Sequence, residues 1–307
     1  MVSGFVSIIG RPNVGKSTLL NALVGEKLAI VTPKPQTTRT RIQGILNVKA
    51  GKERPAAQIV FIDTPGVHRP DSRLNRKMLQ EIHEALESRD VVLLIVDASE
   101  KFGPGDQQAL ELIKQYIRAS PGARKIFLLL NKIDKIPKQK LLPLIDDWNR
   151  RHDFQEIIPI SAKTGAGLDV LLDKIVRALP AGPRYFPEDQ LTDQPERFLA
   201  AEIIREKILQ KTGKEVPYSI AVMLDRYEEL EKLIRIAATI YCEREGQKGI
   251  LIGKRGARLK EIGTAARLEL ERLLTKKVFL ELHVKVKPGW KESEAFVEDL
   301  DWRKESG

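Results

Sequence analysis

Gly10-Arg11-Pro12-Asn13-Val14-Gly15-Lys16-Ser17 has the spacing of a phosphate-binding P-loop: Gly, four residues, Gly, Lys, then Ser or Thr. An apolar strand pattern, Phe5-Val6-Ser7-Ile8-Ile9, precedes it, and Thr18-Leu19-Leu20-Asn21-Ala22-Leu23-Val24 after it reads as a helix. Backbone N–H groups at a helix start converge on one spot and attract anions. The two glycines admit a phosphate close to the backbone. Lys16 adds positive charge for the outer phosphates, and the Ser17 hydroxyl is placed to ligate Mg2+. The bland alternative is a chance match of four fixed positions, and the strand–loop–helix context argues against it. The stretch implies a nucleoside triphosphate site.

Outward from that loop, Gly25 to Thr40 has no periodicity and reads as a long mobile loop. Arg41–Val48 and Gln58–Asp63 read as a hairpin across Gly51-Lys52-Glu53-Arg54-Pro55. A polar stretch, Val67 to Arg76, leads into a helix. Val91–Val96 and Ile126–Leu130 are continuous apolar runs, with a shorter one at Ile157–Ile160, as strands buried on both faces require. Helical stretches near 106–119, 139–151 and 167–179 separate them. This alternation predicts a doubly wound α/β domain over residues 1–180. Ligands in such folds bind beyond the carboxyl ends of the strands, so the loops at 10–17, 63–66, 131–134 and 160–162 should share one rim.

Those loops carry the remaining chemistry. In Asp63-Thr64-Pro65-Gly66, Asp63 can hold Mg2+ through water, and the Gly66 N–H can bind a γ-phosphate; alone, the pattern is only a turn. In Asn131-Lys132-Ile133-Asp134, the Asp134 carboxylate can accept two N–H bonds from a guanine edge. Adenine lacks that donor pair and would leave a buried carboxylate unpaired. Asn131 can tie this loop to the P-loop, and the Lys132 stem can lie along the base. Ser161-Ala162-Lys163 can supply a backbone N–H for the guanine oxygen.

In this order and spacing the four motifs resemble the translation-factor-related GTPases. The resemblance implies GTP/GDP and Mg2+ as ligands. It implies a first switch at Gln36, Thr37, Thr38, Arg39 and Thr40, and a second at Asp63, Thr64, Pro65 and Gly66. One threonine of the first switch should cap the γ-phosphate and Mg2+; Thr38 is favoured over Thr37. Many small GTPases place a Gln after the Asp-x-x-Gly glycine to orient the attacking water. Here that residue is Val67, which cannot hydrogen-bond through its side chain, and the adjacent His68 reads most simply as a solvent-facing loop residue. Hydrolysis should therefore be slow. Related GTPases lacking this Gln often hold K+ with a P-loop Asn, a position that Asn13 fits; a purely loop-shaping Asn13 is the alternative.

Leu179–Pro187 contains three prolines and reads as a semi-rigid connector, placing a linker at 181–195. A helix over Arg197–Lys211 and strands over Tyr218–Asp225 and Leu233–Cys242 should follow. Gly253-Lys254-Arg255-Gly256 then stands between two helices, the second running Ala257–Leu274, with a strand over Val278–Val286. A Gly-x-x-Gly with basic middle residues is the clamp of a KH domain. Lys254 and Arg255 would neutralise the sugar-phosphate backbone, with Gly253, Gly256, Arg258 and Lys260 beside them. The α-β-β-α-α-β order predicts an α+β type II KH domain over 196–290. Arg244–Lys287 holds 12 basic against 5 acidic residues, although 201–307 as a whole holds 22 against 19. The sign reverses in an acidic tail over 291–307, expected to lie on the basic surface or simply to solubilise.

The composition fits these readings. The 307 residues suggest two domains, and 42% hydrophobic with 31% charged residues fits a globular protein. No apolar run approaches the roughly 20 residues of a membrane span. Met1-Val2-Ser3-Gly4 leads straight into the strand, which argues against a signal peptide. The single cysteine, Cys242, precludes an internal disulfide and reads as a core residue. These features favour the cytoplasm. A net charge of +10 favours polyanionic partners.

Nearly end to end, the chain resembles the bacterial Era GTPases. To the P-loop, the two switches and Asn131–Asp134 the second domain adds Glu202-Ile203-Ile204-Arg205-Glu206-Lys207, Glu243-Arg244-Glu245-Gly246-Gln247-Lys248 and Val284-Lys285-Val286-Lys287-Pro288-Gly289-Trp290. The resemblance implies a monomeric, slow GTP-hydrolysing switch that binds the 3′ region of small-subunit ribosomal RNA. It implies a role in small (30S) ribosomal subunit assembly, and peripheral contact with the inner membrane surface. A membrane-surface signalling GTPase whose basic face binds acidic lipid is the rival, against which the Gly-x-x-Gly argues. An RNA-modifying or metabolic enzyme would need a second catalytic constellation, and the chain has no Cys/His cluster and only four His.

Overall fold

β1 (Val2–Ile9), β3 (Ala57–Asp63), β4 (Val91–Asp97), β5 (Lys125–Asn131) and β6 (Glu156–Pro159) run parallel, and β2 (Ile42–Val48) pairs antiparallel with β3. The sheet order is β2-β3-β1-β4-β5-β6. This is a computed structural model, and it describes residues 1–301 except 35, 52–53, 68–70, 88, 120–124, 214–215 and 217–218. The middle of the hairpin turn and His68 lie outside the described residues.

Every residue of β3 and β4 is buried, which is why their sequences are continuous apolar runs and not alternations. Successive side chains point to opposite faces. Ile8, Leu93, Ile95 and Phe127 pack with Leu19 and Leu20 of α1 (Lys16–Val24) and with Leu171 and Ile175 of α5 (Leu168–Ala178). Val92, Leu94, Ile126 and Leu128 pack on the other face with Ile82 of α2 (Arg73–Leu86) and with Ala109 and Ile113 of α3 (Pro104–Ala119). Trp148 of α4 (Leu141–Asn149) joins this second core.

The chain forms two compact units: 1–29, 38–69 and 78–193 in the first, and 30–37, 70–77 and 194 onward in the second. The stretch expected as a connector is strapped to the first unit as far as Asp193. Buried Gln58 accepts the N–H groups of Tyr185 (2.7 Å) and Phe186 (3.0 Å) and donates to the Phe186 carbonyl (2.9 Å). Along edge strand β2, the Ile45 N–H donates to the Leu191 carbonyl (2.8 Å) and the Thr192 hydroxyl to the Gln43 carbonyl (2.7 Å).

In the second unit, α6 (Glu196–Lys211) precedes β7 (Ala221–Glu229) and β8 (Leu233–Cys242), which are antiparallel. After α7 (Glu245–Ile252) and α8 (Ala257–Leu274), β9 (Lys277–Val286) pairs parallel with β8. Ile204 and Ile208 of α6 and Ile262, Ala266 and Leu270 of α8 cover Ile236, Ala238 and Ile240 of β8. Cys242 is fully buried in this core, and burial raises its thiol pKa.

One sequence expectation is corrected here. Gly25–Thr40 is not a free loop throughout: Ile30 is buried in the second core, and the Val31 N–H donates to Glu206 (2.9 Å). Sequence periodicity misses this because the segment is held by single anchors and not by a repeating face. The described part of the tail, residues 291–301, is anchored within the second unit. Trp290 is fully buried, its indole N–H donating to the Ser219 carbonyl (3.1 Å), and this roots the chain ahead of α9 (Glu294–Asp299). Glu294 then pairs with Arg73 (2.8 Å) and Asp301 with Lys77 (3.2 Å). Among the described residues no helix is long and apolar enough to cross a membrane.

Candidate nucleotide site and nucleic-acid interface

Because β1, β3, β4, β5 and β6 are parallel, the loops after them open on one rim. The P-loop backbone is held tightly. Gly15 sits at φ +105, and a Cβ there would lie 2.4 Å from Asn131 Nδ2; only glycine meets both conditions. A Cβ on Gly66 would lie 2.7 Å from Pro12 Cγ, so the second switch runs directly against the P-loop.

Lys16 is 6% exposed, and its ammonium donates to the carbonyls of Gly10 (3.1 Å) and Arg11 (3.0 Å). Burial lowers its pKa to about 8, partly offset by Asp63. Burial raises the Asp63 carboxyl to about 6, opposed by Lys16 and by hydrogen bonds from Ser17 and Thr38. Ser17 Oγ donates to Asp63 Oδ2 (2.6 Å) and lies 2.9 Å from Thr38 Oγ1, which is itself 3.4 Å from Asp63 Oδ2. Asp63 Oδ1 is buried with no hydrogen-bond partner among the described residues. Thr37 points elsewhere, donating to the Lys34 carbonyl (2.6 Å) and pairing with Thr32 Oγ1 (2.8 Å).

The remaining P-loop and switch residues divide by environment. The Arg11 guanidinium turns to Glu100 (2.5 Å) and Asp106 (3.0 Å), so only its backbone faces the loop. Pro12 is half-buried, Val14 is buried and Asn13 is exposed at φ +63. Thr64 Oγ1 donates to the Ile8 carbonyl (2.8 Å) and Pro65 is buried. Val67 is 7% exposed in the core, its N–H directed at the Gly10 carbonyl (3.3 Å). Gln36 Nε2 donates to Asn75 Oδ1 (3.0 Å), and Arg39 and Thr40 are half-buried.

The third motif is tied to its neighbours by Asn131, which is 2% exposed. Its Nδ2 donates to the Val14 carbonyl (2.7 Å), and its Oδ1 accepts the Ala162 N–H (2.9 Å). Asp134 Oδ1 accepts from Ser161 Oγ (2.5 Å), and Lys163 is exposed. Lys132 Nζ donates to the Asn13 carbonyl (2.8 Å) and to Asp97 Oδ2 (2.6 Å). Burial opposes ionisation of Asp97, but hydrogen bonds from Lys132 and Ser99 prevail and hold its carboxyl below the usual range. Sequence reasoning missed Asp97; the available signal was an acid ending a fully apolar strand.

In the second unit, Gly253 (φ +70), Arg255 (φ +50) and Gly256 (φ +77) form a tight turn between α7 and α8. A Cβ on Gly253 would lie 2.7 Å from Arg258 Cβ. Lys254, Arg255 and Lys260 are exposed, while Arg258 Nη1 donates to the Lys211 carbonyl (3.1 Å). Beside the turn lies a groove of about 370 Å³, lined by the apolar Leu259, Leu280 and Leu282, the basic Lys260 and Arg267, and Gly256, Gly263 and Thr264. The charge pattern had not pointed to Arg267.

Residues 5–132 match the family described as "50S ribosome-binding GTPase", and residues 215–291 match the KH domain family. The chain is 53% identical to the GTPase Era of Syntrophus aciditrophicus over 94% of its length and 91% of the relative's. It is 52% identical to the GTPase Era of Geobacter metallireducens, over 98% and 97% respectively. The chain belongs to the Era GTPase family. Two solved Era structures agree with this placement, both at 44% identity. An Aquifex aeolicus Era variant bound to GDP.AlF4- has a TM-score of 0.90 and covers 98% of this chain and 99% of that one. An Era in complex with MgGDPNP and nucleotides 1506-1542 of 16S ribosomal RNA has a TM-score of 0.91, with 98% of each chain covered. This Era-family chain is thus a GTPase with a C-terminal KH domain.

Proposed function

We propose that the chain is a slow GTP-driven switch that binds the single-stranded 3′ region of small-subunit ribosomal RNA and assists assembly of that subunit. The observation that carries this is the clamp turn at Gly253–Gly256 beside a groove lined by both apolar and basic side chains. Apolar surfaces take bases, and basic side chains take phosphates. The Era complex with 16S ribosomal RNA supports the small subunit as the partner, in preference to the 50S named in the description of the GTPase family.

At the nucleotide site, a divalent cation fits the buried Asp63 Oδ1, which has no hydrogen-bond partner among the described residues, and the two hydroxyls beside it. Mg2+ there would be held by Ser17 and Thr38, with Asp63 acting through water, and would neutralise phosphate charge. Lys16 and the Gly66 N–H would meet the outer phosphates. Asp134 reads the guanine edge. With the Ala162 N–H engaged by Asn131, the Lys163 N–H is the segment's donor for the guanine oxygen. Buried Val67 offers nothing to an attacking water; a K+ ion held by Asn13 would supply the missing positioning. The protein works as a monomer in the cytoplasm, its basic surface suiting transient contact with an acidic membrane face.

Lys254→Asp with Arg255→Asp tests the RNA reading. Both side chains are exposed, and Asp tolerates the positive φ of Arg255. Each wild-type charge should neutralise about one phosphate, so the salt slope of single-strand binding should fall by about 1.4. Across a fourfold salt range that is roughly a sevenfold difference in affinity loss. GTP turnover without RNA should not change. Wild-type RNA affinity and slope in the variant would refute the groove.

A further inference from the structure

Within the first unit, β4 and β5 run side by side in register, with Asp97 opposite Asn131 at their carboxyl ends. The Ala98 N–H carries the ladder one residue further, donating to the Asn131 carbonyl (2.8 Å). Asp97 therefore stands beside Lys132, the first residue beyond β5. It is 6% exposed, and both of its carboxylate oxygens are engaged. Oδ1 accepts from the Ser99 N–H (3.0 Å) and the Ser99 hydroxyl (2.6 Å), and Oδ2 accepts from Lys132 Nζ (2.6 Å). The carboxylate is thus fixed from one side by Ser99 and turns its other oxygen to the lysine.

Lys132 itself sits at φ +66, a left-handed conformation that disfavours a residue with a Cβ. Its ammonium is held at two points, by Asp97 and by the Asn13 carbonyl (2.8 Å). The side chain therefore spans from the third motif to the P-loop, with its head anchored at the far end. Of the two anchors the carboxylate is the stronger, because a hydrogen bond between two charged groups exceeds one to a neutral carbonyl. A lysine stem is ordinarily flexible, and ordering it costs rotamer entropy. Here the protein supplies the order through Asp97. An apolar stem already held in place can lie along the face of a base without that cost at the moment of binding.

We propose that Asp97 is a positioning residue for guanine-nucleotide binding: through its ion pair it holds Lys132 across the site, so that the lysine stem covers the face of the base. The proposal rests on the reading of Lys132 as the residue along the base. It goes further by assigning the order of that stem to an acid on β4, outside the four nucleotide motifs. It also assigns Asp97 to the face of the ring, where Asp134 reads the edge.

The test is a double-mutant cycle on the full chain, with GDP and IDP affinities and steady-state turnover measured on each protein. In Asp97→Asn the amide oxygen can keep the Ser99 bonds, while an NH2 group meets the Lys132 ammonium in place of an acceptor. GDP affinity should fall about tenfold, within the range for coupled neighbours. KM for GTP should rise by a similar factor with kcat within about twofold of wild type, because the phosphates react at Lys16, Ser17 and Asp63. Lys132→Met keeps an apolar stem and loses the anchored head; on that background Asp97→Asn should change GDP affinity by less than about twofold. Hypoxanthine lacks the exocyclic amine that Asp134 would read but presents much the same face, so Asp97→Asn should keep the GDP-to-IDP affinity ratio within about twofold of wild type. Ser99→Ala, at an exposed residue, loosens the carboxylate without removing it. It should show the same pattern at about threefold, and it serves if Asp97→Asn melts early. A merely structural Asp97 would weaken GDP binding equally on both backgrounds, and one acting through Asp134 would shift the GDP-to-IDP ratio. Either result would overturn the proposal, as would wild-type GDP affinity in both folded variants. If Lys132→Met alone leaves GDP affinity unchanged, the reading of Lys132 fails, and the proposal with it.

Discussion

Lys16 is 6% exposed, and burial brings its ammonium from 10.5 down to about 8. At about 1.4 kcal/mol per unit, the charged form is destabilised in the folded, nucleotide-free chain by about 3 kcal/mol. Lys16→Met keeps the stem and removes the charge. It also removes the donor from the Gly10 and Arg11 carbonyls, a loss of about 1 kcal/mol each. The net should be a gain of about 1 kcal/mol, or about 3 °C in melting temperature at neutral pH. The pH dependence has a definite sign. Folding holds the Lys16 pKa below its unfolded value, so the penalty is complete below pH 8 and disappears as pH rises towards 10.5. The variant's advantage should therefore shrink between about pH 8 and pH 10. Thermal melting of nucleotide-free, metal-free protein at both ends of that range is the assay. Added Mg2+ and a GTP analogue should raise the melting temperature of wild type and leave the variant unmoved. A variant that melts below wild type at neutral pH, or an advantage that persists at high pH, would refute the claim that burial makes the Lys16 charge destabilising without bound nucleotide.

Asp134→Asn should weaken GTP binding and favour xanthine nucleotides, whose edge presents an acceptor where guanine has an amine; competition binding with XTP and GTP reads this directly. Turnover compared in KCl and NaCl at equal ionic strength should show K+ stimulation that Asn13→Ala removes. Truncation after Lys291 should leave RNA affinity at low salt within about twofold, because among the described tail acids Glu294 pairs with Arg73 and Asp301 with Lys77. It should instead lower stability by about 3 kcal/mol, from the burial lost at Phe296 and Val297. Denaturant titration measures this.

The sheet of the first unit was legible because its strands are buried on both faces, and nothing but a continuous apolar run serves there. The KH order was legible for the same kind of reason: α8 and β8 have the same bounds in the structure as in the sequence pattern. The charged contacts were not legible. Glu206, Arg205 and Glu202 look like the solvated face of a helix, and only the fold reveals that segment 30–37 lies over them. The partners of Glu294 and Asp301 were not legible for a related reason. Charge bookkeeping along a chain says what must be neutralised, but not where, and Arg73 lies more than two hundred residues away in sequence. Thr37 and Thr38 are chemically identical, so only backbone direction separates them. Gly253 and Gly256 look like a requirement for small size; their positive φ makes it a requirement on conformation as well.

The strap along β2 bears on how the first unit behaves in isolation. An edge strand offers a row of unpaired N–H and C=O groups that invites another chain to extend the sheet. Here Leu191 and Thr192 occupy part of that row at Ile45 and Gln43, and Asn47 Nδ2 takes the Glu188 carbonyl (2.9 Å). A fragment ending at residue 180, where the periodic pattern of helices and strands stops, would lose this cover and leave Gln58 buried without its three backbone partners. Such a fragment should self-associate through β2, whereas one ending at Asp193 should stay monodisperse. The boundary that matters for colloidal behaviour thus lies fifteen residues beyond the end of α5, at the end of what looks in sequence like a mere tether.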